Sequence, residues 1–222
     1  AIDACNQILT NDRNAIEAIK LIAKSFLATK KIDDARLYLN KALNLKPSDY
    51  EVIKDLGNTY QAIGDINNAK KYYRKAIEIN SSYAPALTNL GIIELYTDNK
   101  EEALTLLTKA IKSDPLLAPA WSNLASAFVQ LGKIQEAELS ARKAIELNPN
   151  FFNSHFILGN ILLGQKKLQE AEQSLRKTIE LNPNFSQAHY ILGNTLRDNE
   201  KLEEAEISFK EAIKLKFGFV QA

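Results

Sequence analysis

The chain has two histidines, and they lie in matching settings: His155 is followed by FILGN and His189 by YILGN. A pair of imidazoles could bind a metal ion or transfer a proton near neutral pH. The two positions are 34 residues apart, however, and a fixed spacing can also repeat one structural position. The elements that hold the two side chains decide between these interpretations.

The 34-residue spacing continues through nearly the whole sequence. Position 20 of every block is alanine, position 7 is aliphatic, and position 8 is alanine or glycine. The blocks align without insertion or deletion over 16–49, 50–83, 84–117, 118–151, 152–185 and 186–219. Such self-similarity predicts an array in which one supersecondary unit is repeated.

Two apolar stripes in each block predict a pair of helices. Positions 4, 7, 8 and 11 form one stripe and positions 20, 24 and 27 the other, with the three- and four-residue spacing of a helix face. Small residues at positions 8, 20 and 27 let the two backbones approach closely. Proline at position 32 of four blocks ends the second helix.

This pattern resembles the tetratricopeptide repeat family. The block at 118–151 carries the resemblance most fully, through Trp121, Leu124, Phe128, Gly132, Ala137, Ala144 and Pro149. The resemblance implies an all-α fold, a right-handed α-solenoid of antiparallel helix pairs. It also implies that the first helices line a concave groove and the second helices form the convex back.

Both ends of the sequence fit further repeats. Residues 1–15 match the second helix of a preceding repeat, and residues 220–222 match the start of a truncated further repeat. We therefore expect the chain to be a piece of a longer array with uncapped ends. Homo-association is expected through apolar residues near the C-terminus: Ile207, Phe209, Ile213, Phe217 and Phe219.

The histidines fall at position 4, where the other blocks carry Ile19, Ile53, Leu87 and Trp121. Side chains one repeat apart lie about 10 Å from each other, the helix-packing distance. Zinc ligands must place nitrogen about 2 Å from a shared ion. The histidines are therefore interpreted as structural, and the sequence predicts no metal site, no cofactor, no catalytic residue and no enzymatic activity for this fragment.

The balance of charge disfavours nucleic acid as a partner. Lysine and arginine number 28 and aspartate and glutamate 27, for a net charge of +1. No apolar run approaches the ~18 residues of a membrane span, so no membrane insertion is expected. The single cysteine favours a cytoplasmic over a secreted protein. Lys70, Lys71, Arg74 and Lys75 are expected to face solvent from a second helix.

The remaining face of the first helices, positions 2, 5, 9 and 12 with position 6 at its mouth, should line the groove. Asparagine there can both donate to and accept from a peptide backbone. The predicted contact residues run from basic, through hydroxyl and amide, to aromatic and amide: Lys20, Lys24, Lys54, Asn58, Asn89, Asn123, Ser126, Phe156, Asn160, Tyr190 and Asn194.

Two ligand-binding patterns of the family were compared with these columns. In chaperone-binding members a C-terminal carboxylate is clamped, and Lys54, Asn58 and Asn89 fit the first three places of that clamp. Pro119 and Asn123 do not fit the last two. The asparagine ladder of the protein O-glycosyltransferases is continued only by Asn89 and Asn123, which is too short to indicate that enzyme.

The sequence therefore predicts a scaffold that binds a protein or peptide ligand, as an extended peptide or a partner helix, in the groove. One alternative is a substrate-recruiting or dimerising arm of a larger transferase, acting on glycosyl, sulfo or methyl groups through a catalytic domain outside this fragment. A second alternative is a self-assembling scaffold.

Overall fold

The computed structural model describes the backbone of residues 15–218 and the side chains of residues 15–216. Those residues form α-helices and no strand: α1 (Ile16–Ala28), α2 (Ile32–Leu45), α3 (Tyr50–Ala62), α4 (Ile66–Ile79), α5 (Ala84–Tyr96), α6 (Lys100–Ser113), α7 (Ala118–Gln130), α8 (Ile134–Leu147), α9 (Phe152–Gly164), α10 (Leu168–Leu181), α11 (Ser186–Asp198) and α12 (Leu202–Gly218). The predicted half-repeat at the N-terminus, apart from Ala15, and the predicted start of a further repeat lie outside the described residues.

The helices divide between two compact units, residues 1–113 and 114–222. Unit 1 contains α1 to α6 and unit 2 contains α7 to α12. Within each unit every odd-numbered helix packs against the helix that follows it, and each pair packs against the next pair. The all-α fold of stacked helix pairs is therefore confirmed. None of the helices in the described part of the chain is both long and apolar enough to cross a membrane.

The packing between the two helices of a pair depends on the small residue at position 8. A Cβ atom built on Gly57 would lie 2.6 Å from Tyr73 Cε1, and one on Gly159 would lie 2.7 Å from Leu175 Cγ. Tyr73 and Leu175 occupy position 24 of their repeats and are fully buried. The small residue is therefore a steric requirement, since side chains at position 24 fill the space where its Cβ would be.

The turn between the helices of a pair has one backbone conformation throughout. Position 15 has a positive φ in all six repeats, at Lys30, Gly64, Asp98, Gly132, Lys166 and Glu200. The residue after it donates its backbone N–H to the carbonyl at position 11, as Asp65 does to Tyr60 at 2.9 Å. This is the Schellman arrangement, which satisfies carbonyls left free at the end of the first helix.

Replacing Lys30 by glycine should stabilise the chain. Lys30 is exposed and has a φ of 58°, a conformation that costs a side-chain-bearing residue about 1–2 kcal/mol. The greater freedom of glycine in the unfolded chain offsets part of the gain, so we expect about 0.5–1 kcal/mol in the free energy of unfolding. Urea denaturation measures it. The neighbouring Lys31→Gly is the control, because Lys31 has a φ of −84° and glycine there should give no gain.

Ion pairs join consecutive repeats on the second helices. Glu138 accepts from Arg142 on its own helix at 2.8 Å and from Lys167 of the next repeat at 3.3 Å. Glu172 is paired in the same way with Arg176 and Lys201. Burial raises the pKa of both glutamates, but their hydrogen bonds from these cations outweigh burial and leave each pKa below its ordinary value.

The last described helix exposes apolar side chains. Ile207 is 67% and Ile213 55% exposed, whereas Phe209 is partly buried. The side chains of Phe217 and Phe219, also expected to be adhesive, lie outside the described residues. The exposed isoleucines are compatible with the expected homo-association, which stays a prediction.

Candidate functional site

We define the groove face of a unit as the surface formed by positions 2, 5, 6 and 9 of its first helices. In unit 1 these positions come from α1, α3 and α5, and in unit 2 from α7, α9 and α11. Positions 7 and 8 of the same helices are buried in every repeat. The groove face is therefore set by helix periodicity, because it lies beside the stripe that packs against the second helices.

At the start of unit 1 the lysine predicted for ligand contact is engaged within the protein. Lys20 Nζ lies 3.0 Å from Glu51 Oε2 and 3.4 Å from Asp49 Oδ2. Its side chain is only 11% exposed. Burial lowers the pKa of Lys20, but the hydrogen bond to Glu51 and the two carboxylate charges outweigh burial and raise it. Lys24, one turn further along, is exposed.

Asp49 also caps a helix, and this second role fixes its position. It is the N-cap of α3, and its Oδ1 accepts from the backbone N–H groups of Glu51 at 3.1 Å and Val52 at 3.2 Å. A capped carboxylate cannot move far without freeing those donors. Lys20 is therefore anchored by an acidic residue at position 34 of its own repeat.

Further along unit 1, a connected set of polar side chains occupies the groove face. We call it the amide cluster: Lys54, Asp55, Asn58, Tyr73 and Asn89. Asn58 Nδ2 donates to Asp55 Oδ1 at 3.2 Å, and Asn89 Nδ2 donates to Asn58 Oδ1 at 2.9 Å. Lys54 Nζ forms an ion pair with the same Asp55 oxygen. The structure thus brings three predicted contact residues together: Lys54, Asn58 and Asn89.

Tyr73 reaches the amide cluster from the second helix. Its Oη lies 2.8 Å from Asn58 Oδ1 and 2.7 Å from Gln61 Oε1, and its ring is fully buried. Burial raises the pKa of the Tyr73 phenol, and the nearby Asp55 charge acts in the same direction. The phenol therefore stays protonated, and its single hydrogen can be donated to Asn58 or to Gln61.

Asp55 belongs to the groove face but was not among the predicted contact residues. It is 5% exposed and accepts from both Lys54 and Asn58. It is the only acidic residue in the columns of positions 5, 6 and 9. An acidic residue at one of these positions was the feature of the sequence that could have identified Asp55.

In unit 2 the groove face is amide and hydroxyl at first and then aromatic. Asn123 and Ser126 on α7 are half-buried. On α9, Phe156 contacts Phe185 edge to face with ring centroids 4.8 Å apart. On α11, Tyr190 is 54% exposed and lies 5.9 Å from Phe209 between ring centroids. Aromatic surface of this kind offers area for contact at little entropic cost.

The two asparagines at position 9 of unit 2 differ in how far they are engaged. Asn160 Nδ2 donates to the carbonyl of Phe156 in its own helix at 3.0 Å. Asn194 is half-buried. Asn160 can therefore offer an acceptor oxygen without breaking a bond, but one of its two amide hydrogens is already donated.

The position 5 column is not uniformly accessible. Thr88 is 2% and Ser122 is 1% exposed, whereas Tyr190 in the same column is 54% exposed. The small residues at this position are covered, Lys20 and Lys54 are 11% and 16% exposed, and Tyr190 emerges onto the groove face. Position 5 therefore contributes contact surface only in some repeats.

The two histidines make the same structural contact. His155 and His189 each lie with Nε2 2.8 Å from the carbonyl oxygen of the proline six residues earlier. Trp121, at the same repeat position, donates its indole N–H to the equivalent carbonyl at 2.9 Å. A carbonyl oxygen only accepts, so Nε2 carries the hydrogen in both histidines. They therefore replace the tryptophan donor.

An open depression of about 620 Å³ lies at the end of unit 2 between α11 and α12. Tyr190, Phe209 and Ile213 supply most of its apolar lining, with Ser186, Gln187, Ala212 and Lys216 around them. Among residues 15–216, no group of three or more histidine, cysteine, aspartate or glutamate side chains is arranged to hold a metal ion.

The paired helices, the position 8 contacts and the common turn define a class, the helical repeat proteins built from 34-residue helix pairs. Models of the tetratricopeptide repeat match residues 16–49, 55–83, 84–115, 118–151, 141–173 and 158–216. The chain therefore belongs to the tetratricopeptide repeat family, as the sequence predicted.

Solved structures share this fold. The pilF protein of Pseudomonas aeruginosa is 21% identical with a TM-score of 0.77, over 94% of this chain and 93% of that one. A MamA structure is 23% identical with a TM-score of 0.61, over 75% and 97%. YrrB, described as a TPR protein with an unusual peptide-binding site, is 25% identical with a TM-score of 0.58, over 80% and 91%. Comparison with curated protein sequences gives no match.

Proposed function

We propose that this chain is a protein-interaction scaffold that binds an extended peptide or a partner's helix on its groove faces. The observation that carries the proposal is the amide cluster, in which polar side chains form a connected set on the groove face. Hydrogen bonding and burial fix these side chains before a ligand arrives. Binding to such a surface loses little side-chain entropy.

The aromatic part of unit 2 supports the same proposal from a different chemistry. Tyr190 is more than half exposed, and Phe156 occupies the same repeat position one repeat earlier. Tyrosine is among the residues enriched at the energetic centres of binding surfaces. The name of the related YrrB protein, which mentions a peptide-binding site, agrees with this assignment.

A triple substitution tests the groove face. A library of random 12-residue peptides displayed on phage is selected against the wild-type protein, and the selected peptides are synthesised. Their affinity for the variant with Asn58→Ala, Asn160→Ala and Asn194→Ala should fall by about 10- to 1,000-fold, since each neutral hydrogen bond contributes about 0.5–1.5 kcal/mol. Fluorescence anisotropy measures the dissociation constants.

The matched control changes three asparagines that lie away from the groove face: Asn44, Asn67 and Asn150. All three are exposed, and their replacement by alanine should leave peptide affinity unchanged. Circular dichroism confirms that both triple variants are folded. Equal affinity of the wild type and the groove variant would show that the groove face is not the binding surface.

Self-assembly is a second proposal, favoured by one observation. Ile207, Ile213 and Tyr190 are each more than half exposed near the depression at the end of unit 2. Apolar side chains in that arrangement favour contact with another protein surface. Sedimentation over a range of concentrations tests it, and a single monomeric species throughout would contradict it.

A further inference from the structure

We propose that the amide cluster of unit 1 binds a positively charged hydrogen-bond donor of the ligand, a lysine ammonium or an arginine guanidinium, and disfavours a carboxylate. This proposal rests on the proposed function and specifies the ligand chemistry of one part of the groove face. It is carried by the direction of the hydrogen bonds in the cluster and by the charges around it.

Asp55 sets the direction of every hydrogen bond in the cluster. An ionised carboxylate only accepts, so Asn58 must turn its amide nitrogen towards Asp55. The Asn58 oxygen then faces the opposite way, where it accepts from Asn89 at 2.9 Å and from Tyr73 at 2.8 Å. Asn89 donates one amide hydrogen into the cluster through this bond.

Two oxygens of the cluster are left open as acceptors. Within residues 15–216 the structure pairs neither Asn89 Oδ1 nor Asp55 Oδ2 with a donor, and Asn89 is only half-buried. A ligand group that forms hydrogen bonds to these oxygens must be a donor. An ammonium or a guanidinium carries several donors and no acceptor, which matches this need.

The local charge favours a cation for the same site. Lys54 is neutralised by Asp55, and Lys20 is neutralised by Asp49 and Glu51. Tyr83 is the N-cap residue of α5. Burial raises the pKa of its phenol, and the charges of Glu51, Asp55 and Asp49 raise it further.

A ligand carboxylate would meet an obstacle here. Lys54 and Asn58 keep N–H groups that could donate to it, but both lie against Asp55. An incoming carboxylate would have to displace Asp55 or lie beside it, and two carboxylates in one site repel each other. The protein's own carboxylate thus takes the place that a ligand carboxylate would occupy.

The test uses the same 12-residue phage library, selected in parallel on the wild type, Asp55→Asn and Asp33→Asn. Asp55→Asn keeps the shape of the side chain but removes its charge and turns one acceptor into a donor. Asp33→Asn makes the same charge change at a fully exposed side chain of α2. Peptides selected by the wild type and by Asp33→Asn should share a lysine or arginine at a fixed place, and those selected by Asp55→Asn should lack it.

One selected peptide is then synthesised with its basic residue unchanged and with that residue replaced by glutamine. On the wild type the replacement should weaken binding by about tenfold or more, as expected for a charge-assisted hydrogen bond. On Asp55→Asn the two peptides should differ by less than about threefold, because the charged acceptor is gone. The wild-type comparison is informative even if Asp55→Asn does not fold.

The outcomes distinguish a failure of the proposed ligand chemistry from a failure of the proposed function. Selection of peptides that share an acidic residue, or a basic residue whose removal leaves wild-type affinity unchanged, would overturn the ligand chemistry and leave the peptide-binding function intact. Equal dependence on the basic residue in the wild type and Asp55→Asn would overturn the role of the amide cluster. Failure of the wild type to select any peptide would overturn the proposed function and this proposal with it.

Discussion

Replacing Glu94 by alanine is expected to lower the free energy of unfolding by about 3 kcal/mol. Glu94 is fully buried and accepts from Lys70 at 2.7 Å and from Arg74 at 2.9 Å. The variant leaves Lys70, only 19% exposed, without its carboxylate. An unpaired charge in such a site costs more than the pair contributes. Urea denaturation at pH 7 measures the difference.

A double variant separates the loss of charge pairing from the loss of packing. Position 11 is leucine in two other repeats, at Leu162 and Leu196, and both are buried. Glu94→Leu combined with Lys70→Leu places apolar side chains where the ion pair was. That protein should regain most of the wild-type stability, because a well-packed apolar pair often equals a buried ion pair. A cost below about 1 kcal/mol for Glu94→Ala would contradict this account.

The effect of Glu94 should depend on pH with a defined sign. Burial raises the pKa of Glu94, but hydrogen bonds from Lys70 and Asn99 and the nearby cations outweigh it and lower the pKa below 4.5. A group whose pKa is depressed by folding stabilises the protein above its unfolded pKa and loses that contribution as pH falls through the folded pKa. The difference between wild type and Glu94→Gln should therefore be constant near neutral pH and shrink in acid.

Glu94 also marks a limit of the sequence reasoning. The expectation that the basic run on α4 faces solvent was wrong for Lys70, which is largely covered and bound to Glu94. Periodicity places position 21 at the edge of the second helix, but it does not say which side chain of the next repeat lies opposite. The clue was a glutamate in a column otherwise made of aromatic and leucine residues.

The fold could be predicted because it depends on columns that recur. Alanine at position 20 and a small residue at position 8 have one physical reason in every repeat, the close approach of two helices. The turn could be predicted only in part. Gly64 and Gly132 indicated it, but Lys30 and Lys166 have the same positive φ without a glycine to signal it.

The positions that form the candidate site could be predicted from the sequence, but their hydrogen bonds and ion pairs could not. The columns identified Lys54, Asn58 and Asn89, and these side chains are connected through Asp55. Their hydrogen-bond directions depend on Asp55, whose proximity to Asn58 follows from rotamers and burial and not from the spacing alone. In the same way, the sequence did not show that Lys20 is paired with Asp49, 29 residues later.

Replacing Gly57 by alanine is expected to lower the free energy of unfolding by about 2 kcal/mol, although alanine is the better helix former by about 1 kcal/mol. The new Cβ would lie 2.6 Å from Tyr73 Cε1. Tyr73 cannot easily retreat, because its ring is fully buried and its hydroxyl is bonded to Asn58. Urea denaturation measures the loss. Gly164→Ala is the control, since no atom lies within 4 Å of its Cβ position, and it should not destabilise.

Gly193→Ala distinguishes the clash itself from the ability of the neighbour to move. Its Cβ would also lie 2.6 Å from a ring carbon, Cε1 of Phe209. Phe209, however, is only partly buried and borders the open depression at the end of unit 2. The ring can therefore shift, and the cost should stay below about 1 kcal/mol, where helix propensity compensates most of the strain. Equal costs for Gly57→Ala and Gly193→Ala would show that relaxation of the position 24 ring does not set the penalty.

If relaxation of that ring does set the penalty, Gly57→Ala must also displace the Tyr73 hydroxyl from Asn58. The Gly57→Ala variant should then lose affinity for lysine- or arginine-containing peptides, whereas Gly193→Ala should retain it.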